Sequence, residues 1–215
     1  MPRQPRLLLN HSYYHIMTRG NNRHDVFEDH EDYIYFLDLI SRFKADHPFE
    51  LYHYCLMTNH VHLLVKTNKA SDFSAFMKKL NLAYFYHYRN VYGWTGHLWQ
   101  DRFKSQPVGK DNYFIQCGKY IELNPVRAGI VDSPDKYEYS SFGYYANGHI
   151  NPLITEDIFY EIMGKTKEKR QEAYKDLVIE DLISGTFSKS VWGTNYQRYQ
   201  ENKKTKRGLK EKAKR

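Results

Sequence analysis

The chain has 215 residues, of which 41% are hydrophobic and 16% aromatic. This composition is enough to bury a core and argues against overall disorder. No apolar run is long enough to span a bilayer, and Leu7–Leu9 is too short for the hydrophobic stretch of a signal peptide, so we expect a cytoplasmic protein without a membrane partner. Two cysteines, Cys55 and Cys117, exclude a disulfide framework, and we expect buried, reduced thiols.

The net charge of +7 is concentrated at one end of the chain. Residues 198–215 contain nine Lys or Arg against two Glu, so the rest of the chain is balanced. Such a segment is typical of a mobile arm that binds a polyanion, and nucleic acid is the leading candidate. The alternative is a solvated terminus that only aids solubility.

The first predicted element is a strand. Residues 12–19 alternate and are rich in Tyr, Ile and Thr, and the strand stops at the turn residues Gly20–Asn22. Polar side chains in and beside this loop could hold phosphates or base edges, and ordinary turn chemistry explains them equally well. These residues are Arg19, Asn21, Asn22 and Arg23.

A helix and a hairpin follow. Apolar residues recur at threes over 31–46 and predict an amphipathic helix, which ends before Pro48. Residues 49–57 alternate again, and Thr58-Asn59 makes a tight connection into a strand that begins at His60.

The next elements complete a recognisable order. Residues 71–92 predict a helix, and 97–108, with Arg102 and Lys104, a further strand. Strand, helix, strand, strand, helix, strand is the order of a ferredoxin-like split βαβ sheet. We therefore predict an α+β fold, an antiparallel sheet with helices on one face.

The remainder is predicted to be mainly helical. A helix over about 110–124 carries Tyr120 and Asn124 four residues apart on one face, and Pro125 ends or kinks it. Thr155 reads as the cap of further helical structure up to about residue 183. We predict a catalytic domain over 1–150, a small helical extension over 151–197 and a disordered basic tail over 198–215.

His60 and His62 are the first candidate site. Side chains two apart on a strand point to the same face, so the two imidazoles project together while Val61 projects into a core. The pair is half of a metal site, with places left for another ligand, water or a phosphate. A polar strand face without a metal is the alternative. His11 and His15 have the wrong spacing for a second His-x-His motif, which argues against a phosphoesterase with two such motifs.

Four motifs together resemble a known family. They are YHIMTRGN at 14–21, YCLMTNHVHLL at 54–64, LWQDRF at 98–103 and YIELNPVRAG at 120–129. In this order they resemble the HUH single-strand DNA transposases of bacterial insertion sequences, and most closely the REP-associated tyrosine transposases. The resemblance covers about residues 12–145.

The resemblance implies a function and a set of site residues. His60, His62 and Asn124 would be the ligands of a divalent metal, Mg or Mn, and Tyr120 the nucleophile that forms a 5′-phosphotyrosyl intermediate. The substrate would be single-stranded or hairpin DNA, which implies a nucleoid-associated bacterial protein. Candidate DNA contacts are Arg19, Asn21, Arg23, Arg102 and Lys104. A DNA-binding protein of the same fold that no longer cleaves is the alternative, and monomer and homodimer both stay open.

Overall fold

The computed structural model describes residues 8–109 and 112–184. The side chains of residues 112 and 181–184 and the predicted basic tail lie outside the described part. The strands are β1 (Tyr13–Arg19), β2 (Phe49–Met57), β3 (His60–Thr67) and β4 (Lys104–Pro107). The helices are α1 (His30–Asp46), α2 (Ala70–Tyr92), α3 (Asn112–Glu122), α4 (Asn124–Arg127), α5 (Phe142–Asn147) and α6 (Lys167–Ser184).

The four strands form one antiparallel sheet in the order β2-β3-β1-β4. This order, with α1 between β1 and β2 and α2 between β3 and β4, is the predicted split βαβ arrangement. The α+β fold class is therefore confirmed. The chain divides into two compact units, residues 1–176 and 177–215, and the sheet and the candidate site belong to the first.

One face of the sheet carries the main apolar core. Val61, Leu63 and Val65 of β3 alternate into it, as the sequence predicted, and helices α1 and α2 pack against them. The helical residues buried in this core include Phe36, Leu39, Ile40, Phe73, Phe76, Leu80 and Tyr84. Because the strand period is two, the histidines of β3 lie on the other face, against which α3 packs.

Local signals explain where α1 and α2 begin and end. Asp29 caps α1 by accepting a hydrogen bond from the Asp32 backbone N–H, at 3.1 Å. Gly93 ends α2 in the left-handed conformation, at φ 63°, which a residue without Cβ adopts at little cost. Lys69 precedes α2 without a side-chain cap, and the Asn10 amide oxygen accepts the Ala70 N–H instead.

Three sequence predictions about elements need correction. Of the strand expected over 97–108, only the part from Lys104 to Pro107 forms, as β4. Trp99 instead makes an isolated bridge to Gly20, and its indole N–H donates to the Asn81 carbonyl. The helix expected up to Asn124 ends at Glu122, and Asn124 begins the separate α4. Thr155 caps no helix: its N–H donates to the Leu51 carbonyl of β2, at 2.7 Å.

Among the described residues, no helix is both long enough and apolar enough to cross a membrane. The predicted domain boundary at 150 and the boundary at 197 stay predictions, and the second falls outside the described residues.

Candidate active site

The face of the sheet opposite the main core gathers the polar residues of β1 and β3. Arg19 lies directly across from His60, and Met17 across from His62, in the antiparallel register. Residues opposite each other share a face, so His15 and Arg19 of β1 join His60 and His62 on this side. Lys104 of the edge strand is paired with Met17 and belongs to the same face.

The three histidines are in contact. The His60 and His62 ring centroids are 4.8 Å apart at 81°, while His15 stacks on His62 at 4.9 Å and 13°. The His15 Nε2 and His62 Nδ1 atoms are 2.7 Å apart, a hydrogen bond. His62 is therefore held by the neighbouring strand as well as by its own.

Tyr120 on α3 completes this cluster. Its ring lies edge-on to His62, at 5.9 Å between centroids, and to His15, at 6.0 Å. The Arg127 guanidinium carbon of α4 is 5.3 Å from the Tyr120 ring centroid. The structure thus brings His60, His62 and Tyr120 of one chain together, which their sequence separation alone does not establish.

Hydrogen bonding assigns the free nitrogen of His60. The Asn59 amide nitrogen donates to the Arg23 carbonyl at 3.2 Å, which orients its Oδ1 toward His60 Nδ1, 2.6 Å away. An amide oxygen only accepts, so His60 Nδ1 carries the proton and donates it. The lone pair of the neutral ring is then on Nε2.

Burial keeps the three histidines neutral. It lowers the pKa of His60 to about 4, with help from the positive charge of Arg19, and the pKa of His15 to about 4, with help from His60. Burial also holds the pKa of His62 well below its usual range, and electrostatic interactions with His15, His60 and Arg19 act in the same direction. Neutral imidazole is the form that binds a metal ion.

The donor atoms present fit a divalent cation. His62 Nε2 is buried and has no hydrogen-bond partner among the described residues, and an unpaired buried nitrogen is costly unless a ligand satisfies it. No group of three or more His, Cys, Asp or Glu in the described part of the chain is arranged to hold a metal. A cation on His60 and His62 would therefore take its other ligands from an amide, water or phosphate.

The Asn124 side chain is hydrogen-bonded to the backbone of the last turn of α3. Its amide nitrogen donates to the carbonyls of Tyr120, at 2.8 Å, and Ile121, at 3.3 Å. Both donor hydrogens are thereby engaged, and the amide oxygen is the atom that could coordinate a cation. The same bonds tie Asn124 to the backbone of Tyr120.

The candidate DNA contacts divide into two groups. Arg19 and Lys104 lie on the histidine face. Asn21 and Arg23 lie in a 3-10 turn after β1, where the Asn21 N–H donates to the Leu98 carbonyl, and Arg102 is exposed in the loop before β4. None of the last three is a residue of the four strands.

Sequence reasoning missed His15, Asn59 and Arg127 as members of this site. His15 has the wrong spacing to belong to a second His-x-His motif, and its place follows only from the β1–β3 register. Asn59 precedes the His60-Val61-His62 motif directly and could have been found by asking what orients the first imidazole. Arg127 lies seven residues beyond Tyr120, on the next helix, and had no separate signal.

Known proteins resemble this chain in sequence and fold. The family model for IS200-like transposases matches residues 9–124, more than half of the chain. A protein of Haemophilus influenzae described as a REP-associated tyrosine transposase is 28% identical over an alignment of 136 residues, and the alignment covers 55% of this chain and 77% of that protein. A solved structure of a REP-associated tyrosine transposase bound to a REP hairpin superposes with a TM-score of 0.57 at 20% identity, over 74% of this chain and 93% of the other.

The chain has the HUH endonuclease fold, and the structural match supports this class. Its split βαβ sheet places the strand with His60-Val61-His62 against the helix that carries Tyr120. The chain belongs to the IS200-like transposase family. The resemblance inferred from the four sequence motifs is thereby confirmed, as is the assignment to transposases.

Proposed function

We propose that the chain is a metal-dependent endonuclease and strand transferase that acts on single-stranded, hairpin-bearing DNA. One observation carries the proposal: Tyr120 of α3 lies edge-on to His62, whose buried Nε2 is without a partner among the described residues. A potential nucleophile and a potential metal ligand therefore meet in one chain. This favours an active site assembled in cis, for which a second copy is not needed.

The proposed reaction is a transesterification. The Tyr120 Oη attacks the scissile phosphorus, the bond from phosphorus to the 3′ oxygen breaks, and the proton lost by the phenol is balanced by the proton gained by the leaving 3′ hydroxyl. The 5′-phosphotyrosyl bond retains the energy of the phosphodiester. A 3′ hydroxyl of another strand can then reverse the step and join the two strands without a nucleotide cofactor.

The residues of the site would supply positioning and charge. His60 and His62 would hold Mg²⁺ or Mn²⁺ through their Nε2 atoms, and Asn124 through its amide oxygen. A bound divalent cation polarises a phosphoryl oxygen and offsets the charge that develops on it. Arg19 and Lys104 on the same face, and Arg127 over the Tyr120 ring, are cations able to attract the DNA backbone.

Hairpin DNA is the proposed substrate because a fold neighbour is described as bound to a REP hairpin. The charge of this chain is compatible with such a partner, since the net charge is +7 and residues 198–215 are strongly basic. The alternative function, DNA binding without cleavage, uses the same surface and differs only in the chemistry of Tyr120.

A covalent-adduct assay tests the proposal. Incubation of the full chain with a 5′- and 3′-labelled hairpin oligonucleotide and Mn²⁺ should give a protein–DNA adduct on a denaturing gel. Tyr120→Phe should abolish it, because the hydroxyl is the attacking group. Tyr113→Phe is the matched control, since Tyr113 is an exposed tyrosine of the same helix.

Two results would count against the proposal. An adduct that persists in Tyr120→Phe would remove Tyr120 from the nucleophile's role. Tight hairpin binding by the wild-type chain, with no adduct across a panel of hairpins and with either Mg²⁺ or Mn²⁺, would favour the binding protein without cleavage activity.

A further inference from the structure

A second polar cluster lies under α3, separate from the histidine site. His53 of β2, Glu122 at the end of α3 and Asp157 of the segment before α6 are all at most 3% exposed. We refer to these three residues as the buried charged cluster. Two acids and a base in a core are costly unless each is paired, so their presence requires an explanation.

Every member of the buried charged cluster is hydrogen-bonded. His53 Nδ1 donates to Glu122 Oε1 at 2.9 Å, and His53 Nε2 donates to Asp157 Oδ2 at 3.3 Å. Glu122 accepts two further hydrogen bonds, from the Ser141 hydroxyl at 2.5 Å and from the Tyr174 hydroxyl at 2.6 Å. The other Asp157 oxygen accepts the Phe159 N–H at 2.8 Å.

The cluster joins β2 to two other parts of the chain through the His53 ring. Glu122 ties the end of α3 to β2 through His53, and Asp157 ties the same ring to the C-terminal segment. Gly118, one turn before Glu122, lies so close to the ring that a Cβ there would be 2.8 Å from His53 Nε2. The helix therefore contacts one imidazole at two points a turn apart.

Tyr120 lies between these two points of contact. Side chains two apart on a helix do not face each other, so Glu122 can hold the helix while Tyr120 remains beside His62 and His15. Phe114 and Ile121 are buried apolar side chains of α3 and also hold the helix in place. Apolar contacts, however, tolerate small sliding movements better than a set of directional hydrogen bonds does.

We propose that Glu122, His53 and Asp157 are positioning residues that fix α3 on the sheet and so place the Tyr120 hydroxyl for attack. This inference rests on the proposed function for its catalytic consequence. Removal of one member breaks hydrogen bonds of the cluster and permits α3 to shift. A displacement of about 1 Å can lower the rate of a chemical step about 100-fold without loss of substrate binding.

The test compares Glu122→Gln with wild type. Under single-turnover conditions with saturating hairpin DNA and Mn²⁺, the rate of adduct formation should fall about 10- to 100-fold. The Kd for the hairpin and the far-UV circular dichroism should remain at wild-type values. Glu161→Gln, the same change at an exposed position, is the control and should leave the rate unchanged. If Glu122→Gln does not fold, Asp157→Asn is used instead, because it leaves the shorter contact between His53 and Glu122 in place.

Hydrogen exchange gives a readout independent of activity. In Glu122→Gln the backbone amides of α3 should exchange faster than in wild type, while those of β3 should not. If wild-type protein forms no adduct, the proposed function fails, and the exchange result alone decides whether the cluster holds α3. A folded Glu122→Gln with wild-type adduct rate, or with wild-type exchange in α3, would overturn the proposal.

Discussion

At the scale of single residues, hydrogen-bond partners decide which ring nitrogens of the histidines can bind a cation. Asn59 accepts the His60 Nδ1 proton, and the proposed ligand atom Nε2 is left with its lone pair. For His62, the 2.7 Å contact from Nδ1 to His15 Nε2 serves the same purpose when His62 is the donor. Hydrogen bonds from neighbouring side chains thus help to orient the proposed ligands.

We predict that Asn59→Ala weakens Mn²⁺ binding by the full chain about 10- to 100-fold, because His60 loses the acceptor that selects its tautomer. Titration calorimetry in the absence of DNA measures this effect. Asn59→Asp keeps an acceptor oxygen at the same place and should bind Mn²⁺ more tightly than the alanine variant. Equal Mn²⁺ affinities for wild type and Asn59→Ala would show that Asn59 does not orient a ligand.

At the scale of elements, the close approach of α3 to β2 sets the geometry of the site. The approach depends on the missing side chain at residue 118, since any Cβ there would collide with His53. Hydrogen bonds to Glu122 and Asp157 prevent that ring from turning away. A helix interior normally disfavours glycine, so Gly118 contributes by packing and not by backbone freedom.

We predict that Gly118→Ala lowers the free energy of unfolding by about 1–3 kcal/mol, the usual cost of overpacking a core, although alanine is the better helix former. Urea unfolding followed by circular dichroism measures the change.

Gly143→Ala is the matched control for this prediction. Its Cβ would also meet an imidazole, 2.6 Å from His149 Nδ1, but His149 is exposed and can rotate away. Its free energy of unfolding should therefore stay near the wild-type value. A Gly118→Ala protein as stable as wild type would mean that His53 can move and that the cluster does not restrain it.

At the scale of the whole molecule, the buried charged cluster links stability to pH. Burial by itself lowers the pKa of His53, but the hydrogen bonds and negative charges of Asp157 and Glu122 outweigh it and raise this pKa to about 9. The neighbouring Tyr145 and Tyr174 do not titrate in this range, because burial holds their pKa values well above the usual one.

The sign of the effect follows from the two pKa values of His53. In the unfolded chain His53 has a pKa near ~6.5, so the charged pairing contributes fully below that pH and is lost as the pH rises through about 9. We predict that the free energy of unfolding falls by roughly 2 kcal/mol more between pH 7 and pH 10 in wild type than in His53→Gln. Parallel urea titrations at the two pH values measure this difference. Identical pH dependence in the two proteins would contradict a charged His53.

Much of the fold follows from the sequence by itself. The alternation of β1, β2 and β3 and the helical spacing of apolar residues in α1 and α2 are local signals, and the order of these elements is sufficient for the split βαβ sheet. The pairing of His60 and His62 on one face is equally local, because it needs only the two-residue period of a strand. These features depend on neighbours in the chain, so their prediction did not require the tertiary structure.

Only the tertiary structure decided what lies across the sheet from what. His15 joins the site through the β1–β3 register, Tyr120 through the packing of α3 on β2 and β3, and Asp157 reaches His53 from more than a hundred residues away. Residues 97–103 of the predicted strand form only an isolated bridge, between Trp99 and Gly20. At Thr155, a hydrogen bond to Leu51 takes the place of the predicted helix start. Contacts of this kind depend on long-range packing, about which local periodicity carries no information.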